Sequence, residues 1–321
     1  MTSTGPTKKA PITDQATGTK PAAKAEQRSP GRTREVFGKA WSNPTGKIGF
    51  VILGILVIAA VFAPVLASQD PALQTLSDAN TKPFWLGGDG GYLFGTDSLG
   101  RDVYSRVLYG LRLSLAVGII TATISAALGL ILGILAGYYE RFLGSFLLRI
   151  ADIQFAIPFI AVGIALTAVL GPGIVNLVAV LAVWAWTLYA RTIVNSVSQV
   201  RRLDFVTAAR TLGASTPRIM LRHIAPSVVG PIVVLWSTSV GVTVLAESGL
   251  SLLGLGVQAP DFSLGSMLAD GQTALRLSWW SVAFPGLALL LIVLAFNMIG
   301  DALRDGFNPS AAAKPHNPEL T

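Results

Sequence analysis

The residues of this chain that could do chemistry are few, and their spacing suits mechanical contact better than catalysis. There is no cysteine, which excludes disulfides, thiolate metal sites and cysteine nucleophiles. The two histidines, His223 and His316, stand far apart and do not make a histidine-rich metal site. No G-x-x-x-x-G-K-S/T is present, so the chain has no loop of its own to cradle ATP phosphates; G-x-S-x-G and H-E-x-x-H are missing as well. Gly87-Gly88-Asp89-Gly90-Gly91 is glycine-rich but lacks the lysine of a phosphate loop and reads as a flexible loop. What stands out is a basic island at residues 201–226. It opens Arg201-Arg202-Leu203-Asp204-Phe205-Val206-Thr207-Ala208-Ala209-Arg210-Thr211-Leu212-Gly213 and closes His223-Ile224-Ala225-Pro226. Asp204 is expected to cap a short helix, Ala208 and Ala209 favour that helix, and Gly213 can supply the left-handed residue that ends it. Thr216-Pro217 then starts a second short helix, with proline in its favoured first turn. Nothing here forms a nucleophile–base pair. An alanine pair on a short exposed helix is a low-relief knob that can sit in a partner's groove.

Membrane segments must hold that knob in place. Of 321 residues, 52% are apolar and only 13% charged, about half the charge of an average soluble domain. Five runs carry no charged side chain: Ile48–Gln69, Leu113–Tyr139, Ile153–Ala190, Ile224–Ala246 and Leu277–Gly300. A span needs about 20 apolar residues, so the third run is too long for one helix, and Gly171-Pro172-Gly173 breaks it. Six spans result, the third beginning before Asp152. With a cytosolic N-terminus, only Lys82, Arg101, Arg106, Arg112 and Arg276 of the 24 Lys and Arg fall outside. The positive-inside rule favours that topology, with both termini cytosolic, and it explains the net charge of +7 without a nucleic-acid face. In the second span Ser125, Gly129, Gly133 and Gly137 fall at four-residue spacing, a stripe that lets another helix approach closely.

Other segments carry weaker expectations. Residues 1–47, rich in Lys, Thr, Pro, Ala and Gly, read as a disordered cytosolic tail. Residues 48–69 are the first span and 70–110 an extracytoplasmic segment, whose Asp70, Asp78, Asp89, Asp97 and Asp102 give it an acidic excess. A five-helix core occupies 111–305 and a cytosolic tail 306–321. The uncharged run Ser248–Pro260 is too short to span and fits a re-entrant or interfacial segment. Glu247, at a span's outer end, and Asn297 are candidates for a translocation path. Arg149 and Asp152, three apart, are expected to pair at the cytosolic interface.

The island resembles the EAA loop of binding-protein-dependent ABC importer permeases. That pattern is Glu-Ala-Ala, three residues, Gly, nine residues, then Ile-x-Leu-Pro. Thr207-Ala208-Ala209, Gly213 and His223-Ile224-Ala225-Pro226 keep its spacing, with Thr, His and Ala in place of Glu, Ile and Leu. The resemblance extends over most of 94–307. Gly95-Thr96-Asp97-Ser98-Leu99-Gly100-Arg101-Asp102-Val103-Tyr104-Ser105-Arg106 is similar to GTD-x-x-GRD-x-x-SR, and Gly110–Leu115 to the entry of the second span. Arg149, Asp152 and Pro158 match the start of the third span, Glu247–Gly256 resembles E-x-x-LSFLGLG, and Asn297 to Asp305 resembles N-x-x-GD-x-LRD. Tyr138–Gly144 and Asp261–Gly265 depart from the pattern: the first lacks a glycine pair and Asp, the second a Trp.

On these motifs the chain is identified as a member of the C-type permease subunits of dipeptide, oligopeptide and nickel importers. The resemblance implies an all-α membrane protein with six transmembrane helices of the type I ABC importer permease fold and a cytosolic coupling helix. It implies a bacterial cytoplasmic-membrane location and four kinds of contact: a second homologous permease subunit, two cytosolic ATPase subunits that bind ATP and Mg, an extracytoplasmic substrate-binding protein, and lipid. Phe205, Thr207, Ala208, Ala209, Gly213 and Arg218 are the implied ATPase-coupling residues. Peptides are the first expectation for substrate; nickel complexes, glutathione or oligosaccharides are alternatives in the same family. An ion-coupled secondary transporter is the rival from outside it.

Overall fold

The computed structural model describes residues 32–88 and 90–307. Readings that fall on residues 1–31, on Asp89 and on residues 308–321 lie outside the described part. In chain order the α-helices are α1 (Arg32–Ser42), α2 (Pro44–Val61), α3 (Ala63–Leu66), α4 (Val103–Tyr138), α5 (Phe142–Ala156) and α6 (Phe159–Leu170). They continue with α7 (Ile174–Val200), α8 (Asp204–Thr211), α9 (Thr216–Ile219), α10 (Ala225–Leu252), α11 (Leu264–Gln272) and α12 (Trp280–Phe307). A π-helical turn, Met220–Ile224, fuses α9 to α10. Among the described residues the fold is helical, with one isolated bridge between Thr96 and Asp102.

Five helices are long and apolar enough to cross a membrane alone: α2, α4, α7, the joined α9–α10 rod and α12. The sixth crossing is the α5–α6 pair, bent by 93°. The single third span expected from hydropathy is thus broken. Pro158, which has no N–H to donate and disfavours helix in the residue before it, leaves Ile157 extended at φ −94° and ψ 128°. That the pair still traverses follows from its neighbours. Gly129, Gly133 and Gly137 of α4 face Tyr189, Ile193 and Val197 of α7 in the same order, so the two helices run parallel. The segment joining the end of α4 to the start of α7 must return to the far side.

The α4–α7 seam is close because the stripe has no side chains. A Cβ on Gly133 would lie 2.8 Å from the Cβ of Ile193, and one on Gly137 2.7 Å from that of Val197. Ser125 begins the same seam, donating to the Ala182 carbonyl at 3.3 Å. A second core joins α4, α10 and α12 through Leu111, Leu115, Val240, Val244, Ile292 and Phe296. At about 1.5 Å per residue, α4 is roughly 54 Å long, well beyond a bilayer core of about 30 Å. It begins at Val103, earlier than hydropathy implies, because Asp102 caps it: its side chain accepts the Ser105 N–H at 3.0 Å. The extra turns pack against Leu264, Met267 and Trp280.

Several local expectations are corrected. Residues 32–47 are not tail: α1 folds onto α12, with Val36 and Ala40 buried among Ile299, Ala302 and Leu303. Asp152 pairs with Arg191 of α7, not with Arg149 on its own helix. Ser248–Pro260 is no separate segment, because α10 continues to Leu252 before the chain turns toward α11. The acidic excess of 70–110 is partly internal. Asp97 and Asp102 are buried, and Asp78 accepts the Tyr92 hydroxyl at 2.7 Å, a bond that with burial raises the Tyr92 pKa above its ordinary value.

Candidate functional site

The 201–226 loop is held from both ends. Arg201, at the end of α7, donates to the Tyr138 carbonyl at 2.5 Å and pairs with Glu140 at 2.9 Å, tying the loop to the end of α4. Leu203, extended, precedes α8, and its carbonyl accepts the N–H of Val206 at 3.0 Å and of Thr207 at 3.2 Å. Leu203 is therefore the N-cap. Asp204 is the first helical residue and makes no side-chain cap; its charge favours the helix N-terminus instead. Gly213 ends α8 at φ +79°, with Ala214 N–H bonded to the Ala209 carbonyl and Gly213 N–H to that of Arg210, both at 3.0 Å. That pair of bonds is a Schellman stop, which needs a residue in the left-handed region. Nothing lies within 4 Å of a Cβ built on Gly213, so the glycine is required by backbone conformation and not by space.

Beneath α8 a small core fixes its orientation. Val206 is buried with Ile219 and Ile224 of the outgoing rod and with Ile193 and Val197 of α7. Arg210 lies over the Tyr138 ring, 5.9 Å from its centroid. The opposite side is open. Thr207 and Ala208 are exposed, Ala209 is half-buried, and Arg218 is exposed. Phe205 is half-exposed with its ring 6.3 Å from His223. Leu212 is 87% and Leu221 73% exposed, values that mark a surface built to be covered. Arg202, Arg210, Arg218 and Arg222 rim it, all exposed. The surface can dock a groove with an apolar floor and acidic edges. It holds no group placed for bond making, and among the described residues no cluster of His, Cys, Asp and Glu could hold a metal.

The path candidates are placed apart. Glu247 is wholly enclosed, 0% exposed, where α10 meets α11. Its carboxyl oxygens accept from Ser251 and Ser263 at 2.7 Å each and from Ser248 at 3.3 Å. Ser263 in turn caps α11 through a capping box with Ser266. Glu247 therefore fastens α11 to α10 and in this conformation lines no open passage. Asn297 is half-buried on α12. Gly241 packs on Val293 and Gly300 on Thr238, which sets Asn297 more than a turn away from Glu247.

A second constellation, at the N-terminal end of α4, was not anticipated. Asp97 receives Arg101 Nε and Arg106 at 2.6 Å each, and both arginines reach Asp270 of α11, at 2.9 and 3.3 Å. The Arg106 guanidinium also sits over Phe262, 4.8 Å from the ring centre, and Trp280 Nε1 donates to the Thr96 carbonyl at 2.9 Å. The GTD-x-x-GRD motif held the signal, since Asp97 and Arg101 are four apart; the link to Asp270 is invisible in one dimension.

Six crossings in an apolar, close-packed bundle with an exposed loop at residues 201–226 define a polytopic membrane protein of the permease class. Two family models match the chain. The binding-protein-dependent transport system inner membrane component matches residues 129–312, and the N-terminal TM domain of oligopeptide transport permease C matches residues 32–83. The di/tripeptide transport system permease protein DppC of Pseudomonas aeruginosa (strain UCBPP-PA14) is 38% identical over 275 residues, 85% of this chain and 91% of that protein. The dipeptide transport system permease protein DppC of Bacillus subtilis (strain 168) is 35% identical over 278 residues, covering 86% and 85%. The glutathione transport system permease protein GsiD of Escherichia coli O157:H7 is 39% identical over 264 residues, covering 81% and 84%. The chain therefore belongs to the binding-protein-dependent transport system inner membrane components, as a C-type permease of an ABC importer. It is a membrane-spanning permease subunit and works with other components of such a transporter, which displaces the ion-coupled secondary transporter as an alternative.

Proposed function

We propose that the chain forms half of the translocation pathway of an ATP-driven peptide importer. In this reading it pairs with a second homologous permease subunit, two cytosolic ATPases that bind ATP and Mg, and an extracytoplasmic binding protein. The 201–226 loop and both termini face the cytosol, in keeping with the distribution of Lys and Arg. Closure of the ATPase pair moves α8, and the fixings of α8 to α4, α7 and the α9–α10 rod pass that movement to three crossings. The observation that carries this is the exposed Phe205–Leu212 face over a buried Val206 anchor. Each state then needs different contacts at the joint, because only differential contact energy shifts a conformational equilibrium.

The test is Ala208→Trp, which adds bulk to an exposed position without touching the loop's own core. In proteoliposomes carrying the complete transporter, the variant is expected to insert normally, lose at least tenfold in uptake, and retain ATP hydrolysis no longer stimulated by the loaded binding protein. Normal uptake would show that α8 is not the joint. Peptide is favoured as substrate by the names of the relatives at 35–38% identity, and glutathione, itself a tripeptide, by the relative at 39%. Calorimetric titration of the cognate binding protein with dipeptides, tripeptides and glutathione separates these readings.

A further inference from the structure

Helix α1 has a face that the rest of the bundle leaves uncovered. At about 100° per residue, Val36, Ala40, Phe37 and Trp41 form one apolar arc of roughly 140°. Half of that arc, Val36 and Ala40, is buried on α12. The other half, Phe37 and Trp41, is 48% and 54% exposed. Gly38, Lys39 and Ser42 occupy the remaining side and are exposed as well. A helix that needed only to cover α12 would have no use for a Phe and a Trp four residues apart beside the seam.

The setting says what covers them. Asn43 breaks the helix, its side chain accepting the Thr45 N–H at 3.2 Å as Pro44 starts α2. The Trp41 ring lies 5.5 Å from that of Phe50 on α2. One turn further along, Ile48, Val51, Ile55 and Ile58 are the exposed apolar side chains of a spanning helix, so the Phe37–Trp41 patch continues the lipid-facing surface. Lys39 and Lys47, both exposed, stand on either side of Trp41 in the chain, where α1 gives way to the spanning helix α2. Tryptophan with basic neighbours at the end of a span is the chemistry of a bilayer interface. The membrane side is fixed by the fold: Val36 meets Gly306, and Phe307 packs over Gly230 near the start of α10, at the same end as the 201–226 loop.

We propose that α1 is an interfacial helix. It lies in the headgroup boundary on the coupling-loop side, with Phe37 and Trp41 inserted among acyl chains and Lys39 and Lys47 on anionic headgroups. Through Val36, Ala40 and the Asn43 contact to Asp305 at 3.5 Å, it holds the end of α12 to the plane of the membrane. This goes beyond the coupling reading and does not depend on it.

Because the chain has no cysteine, single sites can be labelled directly. Phe37→Cys, Trp41→Cys and Lys39→Cys, each spin-labelled in the complete transporter, are reconstituted in phosphatidylglycerol–phosphatidylethanolamine vesicles. Labels at 37 and 41 are expected to collide more with oxygen than with a water-soluble nickel chelate, and the label at 39 the reverse. Chelate-dominated collisions at 37 and 41 would put the face in water. Shielding from both probes would put it under a protein subunit. Either result overturns the proposal. A second measurement needs no variant: a phosphatidylglycerol carrying a diazirine near the headgroup should crosslink within residues 36–47 of the unaltered chain, and lack of adducts there would equally refute the placement.

Discussion

At the scale of single residues, sequence and space disagree at Glu247 and agree at Gly213. Glu247 looks like a carboxylate beside a pathway, but three serines enclose it. Replacing it with leucine strips Ser251 and Ser263 of their acceptor, and an unsatisfied buried hydroxyl costs about 1–3 kcal/mol. Glu247→Leu is therefore expected to lower the thermal unfolding midpoint of the detergent-purified chain by several degrees, while Glu247→Gln, which keeps an acceptor oxygen, loses little. Equal midpoints for the two variants would return Glu247 to the list of path residues. Gly213 is the converse case. Its role was legible, because a glycine four residues beyond an alanine pair is where a helix stop belongs, and φ of +79° is what such a stop needs. Gly213→Asn, which tolerates the left-handed region, should keep most uptake, whereas Gly213→Val should lose most of it at unchanged expression. Equal loss in the two variants would mean that backbone strain does not govern the position. The capping residue of α8 was not legible: Asp204 has the right chemistry, but the chain is extended one residue earlier, at Leu203.

Among the elements, what hydropathy and spacing could reveal depended on how local the cause is. The stripe of small residues on α4 was readable because four-residue spacing defines one helix face whatever packs on it. That α7 is the partner was not readable, since Tyr189, Ile193 and Val197 lie some sixty residues on. Gly133→Leu tests the seam. Its Cβ would stand 3.0 Å from the Ala190 carbonyl and 2.8 Å from the Ile193 Cβ, atoms that cannot rotate away. Overpacking of this kind costs about 1–3 kcal/mol, so monodisperse yield and thermal midpoint should both fall. Gly54→Leu on α2, where a Cβ meets nothing within 4 Å, is the control expected to change neither. Helix α1 escaped the sequence reading for the same reason in stronger form. Lys, Gly and Ser dilute its composition, and the residues that order Val36 and Ala40 stand near position 300. The bend between α5 and α6 was half visible: Pro158 was noticed, but an uncharged run says how much chain can sit in lipid, not whether it sits straight.

For the molecule as a whole, the number of crossings is fixed by the parallel α4–α7 seam, and the seam makes a prediction that hydropathy alone could not. If α4 and α7 run the same way, the turn at residues 171–173 lies on the side of the segment before α4, however sharply α5 and α6 are bent. The ion-pair cluster at the start of α4 points the same way. Asp97, Arg101 and Arg106 bond to Asp270, so the segments before α4 and before α12 share one side. In the proposed orientation, with most Lys and Arg in the cytosol, that side is the exterior. Leu76→Cys, Pro172→Cys and Leu212→Cys, introduced one at a time into the cysteine-free chain, place these three regions by reaction with a membrane-impermeant maleimide in intact spheroplasts. Positions 76 and 172 should react at once, and position 212 only after permeabilisation. Protection of position 172 with immediate reaction at position 212 would mean that the bent pair is re-entrant. That topology would force α7 antiparallel to α4 and break the register of Gly129, Gly133 and Gly137 on Tyr189, Ile193 and Val197, so the labelling pattern and the Gly133 variant test one geometry by independent routes.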